Sequence, residues 1–328
     1  MSTRRILITG GAGFIGSHMA KAMLDDRHIV TIVDDLSTGS LSNIHDLINR
    51  DGFQFVRENV CNIPTMTTLI QCCDVVIHLA AAVGVQLIVE KPVHTLETNI
   101  HGSEVVLALA NKFHRRIFIA STSEVYGKST AVPFSEDDDS LLGSTRFTRW
   151  SYACSKMVDE FLALAYHNQD GLEVIVGRFF NTIGPRQSGA YGMVVPRFVR
   201  AALRNEPLTV YGTGEQQRCF CHVADVIDAV KRLMVCETAI GQVVNIGSEN
   251  SITINELAKN IISMCNSTSI IRRISYEEAF GQPFDDMLIR KPDLTKIKQL
   301  ISYEPKHSLE QTLQHVIEFE RSVLAQSR

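Results

Sequence analysis

At 328 residues, 45% apolar and 21% charged, the chain can hold one large domain or two of ordinary size around an ample core. A formal net charge of −4 gives no electrostatic pull toward nucleic acid or an anionic membrane surface. Eight cysteines at no framework or zinc-ligand spacing, after an opening (MSTRRILITGG) without a signal-peptide core, read as reduced thiols of a cytoplasmic protein with no resident metal.

Arg5–Thr9 is a short apolar strand leading into Gly10-Gly11-Ala12-Gly13-Phe14-Ile15-Gly16 and then a helix through about Leu24. Glycines at that position let the backbone turn tightly and approach a pyrophosphate at the positive end of the helix dipole. A strand before and a helix after lift the match above a bare glycine pattern. The second strand, Ile29–Val33, ends at Asp34-Asp35, where a carboxylate suits an adenosine ribose diol and repels a 2′-phosphate. That favours NAD over NADP. Phe53–Val56 is a third strand, leading to Glu58-Asn59-Val60.

The apolar run Cys72–Val89 approaches the length of a membrane span, but Asp74, His78 and Gln86 interrupt it. A buried strand, Val75–Leu79, followed by a loop with Ala80 and Ala81 explains it better, the small residues letting the backbone lie against a dinucleotide. His78 reads as a packed core histidine. A helix over Leu96–Phe113 carries Asn99. The next strand, Ile117–Ala120, delivers Ser121-Thr122-Ser123-Glu124 at its carboxyl end. A helix follows, with Ser151 as its expected cap and Tyr152 and Lys156 one turn apart on one face. A phenol beside an ammonium, facing hydroxyls, is a proton-transfer arrangement.

Val174–Phe179 is a sixth strand, after which Asn181–Gln187 is loop-like, Val195–Leu203 helical and Leu208–Val210 a short strand. Val223–Val235 is helical, Val243–Ile246 returns as a strand, Ile254–Cys265 is a helix, Ser275–Pro292 is irregular and holds Arg290, and a last helix spans Leu309–Leu324. Strands alternating with helices predict an α/β fold with a doubly wound parallel sheet, binding its ligands at the strands' carboxyl ends. The expected division is a dinucleotide-binding domain over 1–180, with 222–265 returning to it, and a smaller interwoven lobe from 181–221 and 266–328.

TGGAGFIGS, VDDLSTG, HLAAAVGV, TNIHGSEVV, ASTSEVYG, SYACSK, RFFNTIGPRQ, LTVYGTGEQQRCFCHVADV and IRKPD occur in this order over nearly the whole chain. Together they resemble the extended short-chain dehydrogenase/reductase family of nucleotide-sugar epimerases, dehydratases and decarboxylases. The resemblance implies a Rossmann domain binding NAD, a carboxyl-terminal lobe binding a nucleoside-diphosphate sugar, and a homodimer through two helices per subunit. Cofactor contacts would come from Gly10, Gly13, Phe14, Ile15, Gly16, Asp34, Asp35, Asn59, Val60, Leu79, Ala80, Ala81, Asn99, Tyr152 and Lys156. The nucleotide sugar would meet Val85, Asn181, Arg186, Val195, Tyr211, Arg218 and Arg290, with Asn181 and Arg218 on the diphosphate and Tyr211 near the base. Tyr152 would take the proton of the sugar's 4-hydroxyl, Thr122 would bond the same oxygen, and Ser123 and Glu124 complete the catalytic set. A phenolate at neutral pH needs about 4 kcal/mol of help, which Lys156 and the cationic nicotinamide are placed to supply.

Three reactions can follow oxidation to a 4-keto sugar: decarboxylation, elimination of water, or return of hydride to the other face. Thr122-Ser123-Glu124, PVHTLETNIHG and Arg290-Lys291-Pro292-Asp293 resemble the UDP-glucuronate decarboxylases, the first expectation here. Met193 stands where those enzymes commonly carry an arginine, and Val194-Val195-Pro196 and AAVGV are closer to UDP-sugar 4-epimerases, the alternative. A 4,6-dehydratase shares the Thr-Ser-Glu triplet. A non-catalytic NAD-sensing scaffold on the same fold is the remaining class, against which stands the joint presence of Thr122, Tyr152 and Lys156.

Overall fold

The computed structural model describes residues 3–84, 92–190, 192–280 and 286–326. Its strands are β1 (Arg5–Thr9), β2 (Ile29–Val33), β3 (Phe53–Val56), β4 (Val75–His78), β5 (Arg116–Thr122), β6 (Val174–Phe179), β7 (Thr182–Ile183) and β8 (Leu208–Tyr211). They continue with β9 (Gln217–Cys219), β10 (Cys221–His222), β11 (Val243–Ile246), β12 (Ser251–Thr253), β13 (Ile271–Ile274) and β14 (Ile289–Arg290). The helices are α1 (Phe14–Asp25), α2 (Ile63–Cys72), α3 (Pro92–Lys112), α4 (Arg149–Asp170) and α5 (Val194–Leu203). After them come α6 (Val223–Leu233), α7 (Ile254–Cys265), α8 (Tyr276–Phe280), α9 (Thr295–Ile301) and α10 (Leu309–Gln326).

Seven strands form one parallel sheet in the order β11-β6-β5-β4-β1-β2-β3. Alternation along each strand sends side chains to opposite faces. Ile6, Ile8, Val30, Ile32, Phe118 and Ile175 pack with α1, α6 and α9, while Leu7, Val33, Val76, Ile117, Ile119 and Val174 pack with α2 and α3. Each fully buried Val, Leu or Ile contributes about 1.5–3 kcal/mol, so both faces must be covered. This is the doubly wound fold expected, and its order reverses between β4 and β1, where a crevice opens at the carboxyl ends.

A third core, around Val195, Phe198, Val199, Leu208, Leu257, Ile261, Leu313 and Ile317, joins α5, α7 and α10 into a second lobe. Thus α6 and β11 lie with the sheet, α7 lies in the second lobe, and α9, expected in that lobe, lies against the sheet.

Local differences have local causes. Helix α3 starts at Pro92 rather than Leu96, a proline being well suited to a first helical turn. Ser151 is not a cap: α4 begins two residues earlier, and the Ser151 hydroxyl donates to the Thr148 carbonyl (2.6 Å) within the first turn. The helix ends at Gly171, whose left-handed φ of 73° closes it. Strand β5 runs on to Thr122, which pairs with Phe179 of β6 and so is fixed by the sheet. The segment expected to be irregular contains α8 and β14.

Candidate active site

The carboxyl ends of β1, β2, β4, β5 and β6 and the facing wall of the second lobe enclose a cavity of roughly 1170 Å³. The glycine turn forms its floor. Gly10 has φ +67°, and a Cβ there would sit 2.8 Å from the Ala80 amide nitrogen, so only glycine lets these two loops touch. A Cβ on Gly16 would lie 2.1 Å from the Gly10 carbonyl oxygen, so the helix start presses against the turn. Asp34 accepts from the Ala12 amide (2.9 Å) and the Leu36 amide (2.8 Å). Burial pushes its carboxyl up, and bonds from the Leu36, Ala12 and Gly13 amides partly offset this. Asn59 donates to Asp35 (2.9 Å) and accepts from the Cys61 amide (2.9 Å), leaving one lone pair on its amide oxygen. A glycine cradle, a helix N-terminus and a carboxylate at the end of β2 fit an adenine dinucleotide without a 2′-phosphate.

Phe14, Ile15, Val60, Leu79, Ala80 and Ala81 line the same cavity, but Asn99 does not. Asn99 is buried behind it, accepting from the Ala82 amide (2.7 Å) and donating to Ser155 (3.3 Å), so it ties the loop after β4 to α4. His78 is a packed residue: its ring bonds Thr9 (2.7 Å) and Ser103 (3.2 Å), and burial, with the Lys156 ammonium nearby, pushes it down to about 3.

Thr122, Ser123, Glu124, Tyr152 and Lys156 meet at the centre of the cavity. Tyr152 is within hydrogen-bonding reach of Thr122, whose side chain also accepts from the Glu124 amide (3.2 Å). The Ser123 hydroxyl is buried and has no hydrogen-bond partner among the described residues. The Lys156 ammonium is paired at 2.6 Å with Asp159, one turn on and equally buried. Burial, reinforced by Glu124 and Asp159, holds Tyr152 above the usual range of a phenol, with Thr122 and Arg290 pulling the other way.

Arg290 and Arg218 are neighbours in the parallel register of β14 and β9, so both enter the cavity from one face. Arg290 donates to Glu124 (3.3 Å), and burial pushes its guanidinium down to about 10. One Arg218 nitrogen, Nη2, donates to both oxygens of Asp286 (3.0 and 3.1 Å), which also accepts from Tyr276 (2.7 Å) and pairs with Arg149 (3.1 Å). Burial would raise the Asp286 carboxyl, but Arg218, Arg149 and Arg290 outweigh it and hold the carboxyl low. Tyr211 lines the far end, with the Arg197 guanidinium 4.2 Å from its ring centroid. Arg186 lines the cavity and bonds Asp46 (3.3 Å); Asn181 donates to the Cys219 carbonyl (3.2 Å). Val195 is fully buried in the second lobe's core, and its neighbours Met193 and Val194 face the cavity instead. Val85 lies outside the described residues.

Sequence reasoning missed Arg149, Asp286, Tyr276, Gln216 and the Ser37–Asn43 loop wall. Arg149 had a signal, since it stands one turn before Tyr152 on the same helix.

The family model described as GDP-mannose 4,6 dehydratase matches residues 7–316. The chain is 42% identical, over 98% of both chains, to the UDP-N-acetyl-alpha-D-glucosaminuronate decarboxylase of Bacillus cytotoxicus. It is 36% identical to UDP-glucuronic acid decarboxylase 1 of Xenopus tropicalis, over 98% of this chain and 73% of that one. The solved UDP-glucuronic acid 4-epimerase of Bacillus cereus, in complex with UDP-glucuronic acid and NAD, superposes with a TM-score of 0.88 at 27% identity, over 97% of this chain and 99% of that one. With a parallel sheet, a glycine turn and a Thr-Tyr-Lys centre in one cavity, the chain belongs to the extended short-chain dehydrogenase/reductase family of NAD-dependent nucleotide-sugar enzymes.

Proposed function

We propose that this protein decarboxylates a UDP-linked uronic acid after transient oxidation at sugar carbon 4. The observation that carries the reading is the buried Arg290, paired with Glu124 beside Tyr152: a cation where a uronate carboxylate must be received. The chain's similarity to decarboxylases at 36–42% identity supports it.

Bound NAD would supply the hydride chemistry, an acceptor for oxidation at carbon 4 and a donor for its reversal. Gly10, Gly13, Phe14, Ile15, Gly16, Asp34 and Asp35 would hold it, with Asn59, Val60, Leu79, Ala80 and Ala81 along its length. Tyr152 removes the 4-hydroxyl proton, and Thr122 fixes that oxygen. In the 4-keto sugar the bond from carbon 5 to its carboxylate breaks, and its electron pair moves toward the carbon 4 oxygen, where the Tyr152 hydroxyl donates. Arg290 orients the carboxylate, and Glu124, with Ser123 beside it, manages the proton that returns to carbon 5. Arg218, Asn181 and Arg186 receive the diphosphate and Tyr211 the base. In this division the sheet with α1–α4, α6 and α9 serves the cofactor, and α5, α7, α10 and the small strands serve the nucleotide sugar.

A 4-epimerase acting on the same uronate is the second reading, favoured by Met193 and Val194 on the cavity wall and by the likeness to the Bacillus cereus enzyme. Incubation with UDP-glucuronate, UDP-N-acetylglucosaminuronate, UDP-glucose, UDP-GlcNAc and GDP-mannose, with mass spectrometry of the products, separates them. Loss of carbon dioxide from a uronate is expected. An unchanged mass with an inverted carbon 4 by NMR would replace decarboxylation with epimerisation.

The same reading makes the protein a cytoplasmic homodimer. Helices α3 and α4 pack side by side, and α4 leaves Val158 and Phe161 exposed, the latter by 71%. A second copy would cover this apolar face. Phe161→Glu should sediment as a monomer; an unchanged dimer would place the interface elsewhere.

A further inference from the structure

A buried carboxylate on the catalytic helix has no part in the chemistry described so far. Asp159 is 1% exposed, and one of its oxygens lies 2.6 Å from the Lys156 ammonium. Its other oxygen is buried with no hydrogen-bond partner among the described residues. Removing a carboxylate from water costs several kcal/mol, and a single ion pair with half its lone pairs unmet repays that poorly. Helical spacing fixes where the charge falls, since residues 152, 156 and 159 share one face of α4.

We propose that Asp159 is a positioning residue for proton transfer: it locks the Lys156 ammonium in place and offsets its charge, so that Tyr152 is held protonated until cofactor binds. This rests on Tyr152 being the base of the proposed reaction. The charges facing that phenol come from several elements. Glu124 lies on the turn after β5, Arg290 on β14, and Lys156 and Asp159 on its own helix. Arg149 stands one turn before it, and His78 of β4, near enough to feel the Lys156 charge, is pushed down to about 3 by burial first and that charge second. Of the two negative groups, Glu124 already has Arg290 as its counter-charge from the substrate side. Asp159 acts from the opposite side, through the lysine. Without it, Lys156 would stand one turn from the phenol with its charge uncompensated, favouring a phenolate before any cofactor or sugar is bound.

The test compares Asp159→Asn and Asp159→Ser with the wild type and with Asp159→Glu. The ultraviolet phenolate signal of the cofactor-free protein, and then of its NAD complex, is titrated with pH, taking the difference from Tyr152→Phe in each background. Both neutral variants should ionise Tyr152 at a pH lower by about one unit, while Asp159→Glu should keep the wild-type midpoint. The acidic limb of kcat should move down with it in the neutral variants. A midpoint that stays within about 0.3 units in folded neutral variants overturns the proposal. Unfolding of both neutral variants overturns it too, because Asp159 would then be a structural counter-charge. If the midpoint moves while no nucleotide sugar is turned over, the assigned reaction fails and the role of Asp159 stands.

Discussion

Arg290 reaches across 166 positions of sequence to place a guanidinium nitrogen 3.3 Å from a Glu124 carboxylate oxygen, joining β14 of the second lobe to the turn after β5. Both side chains are close to buried, at 10% and 13% exposure, and both line the cavity, so the pair bridges its two walls. In the proposed reaction an incoming carboxylate would compete with Glu124 for Arg290, and that competition would free Glu124 for proton work when a uronate is bound.

Neutralising Glu124 separates the two halves of the reaction. In Glu124→Gln, carbon dioxide release should fall by about 100-fold while oxidation at carbon 4 proceeds, so reduced nicotinamide accumulates. Single-turnover absorbance of the reduced cofactor checks this. Equal loss of both steps would remove Glu124 from the later one.

Tyr152→Phe removes the hydroxyl and little else, since the ring stays packed beside Thr122. Turnover should drop at least about 1000-fold, with the affinity for UDP measured by calorimetry changed less than about threefold. Substantial residual activity would mean that another group takes the proton.

Gly10→Ala tests the cradle apart from the chemistry. The new Cβ meets the Ala80 backbone at 2.8 Å, and φ +67° is unfavourable to alanine, for a combined strain of about 1–3 kcal/mol. NAD affinity should fall at least about tenfold and the thermal midpoint of the cofactor-free protein should drop. Unaltered NAD binding would detach the glycine turn from the cofactor.

A separate histidine group governs stability below neutral pH. His222 caps α6 by accepting from the Ala224 amide (3.0 Å), stacks on His307 at 4.1 Å between ring centroids, and lies 3.2 Å from His315. Ring nitrogens of the three histidines lie within 4.8 Å of one another, so a proton gained by one ring is felt by the other two. Burial first, then His307 and His315, push His222 down to about 4. Above its ordinary value of 6.5 both folded and unfolded chains are neutral there, and the group contributes nothing. As pH falls toward 4 the unfolded chain takes up a proton that the folded one refuses, so stability declines by up to about 3 kcal/mol. His222→Asn, which retains an acceptor for the cap, should flatten the denaturation midpoint between pH 6.5 and 4. A slope identical to the wild type would assign the loss to other groups.

The parts of the site legible in the sequence are those whose geometry is local. The glycine turn, the Asp34 terminus and the Tyr152–Lys156 pair each follow from one strand or one helix, and all fall in the cavity. Val195 was misplaced because α5 starts at Val194, and helical spacing then sends Val195, Phe198 and Val199 inward together. Arg149 and Arg218 gain their meaning from converging on Asp286, which no spacing announces. The Lys156 pairing was legible in principle, Asp159 standing one turn ahead, but its burial was not.

The adjacency of Arg218 and Arg290 is dictated by backbone pairing between β9 and β14, not by loop conformation. A slip of one residue would send Arg290 to the opposite side of that small sheet and bring Lys291 into line. The anion recognition proposed for this pair is therefore a property of strand alignment: insertions upstream of Ile289 that leave every arginine in the chain would still erase it.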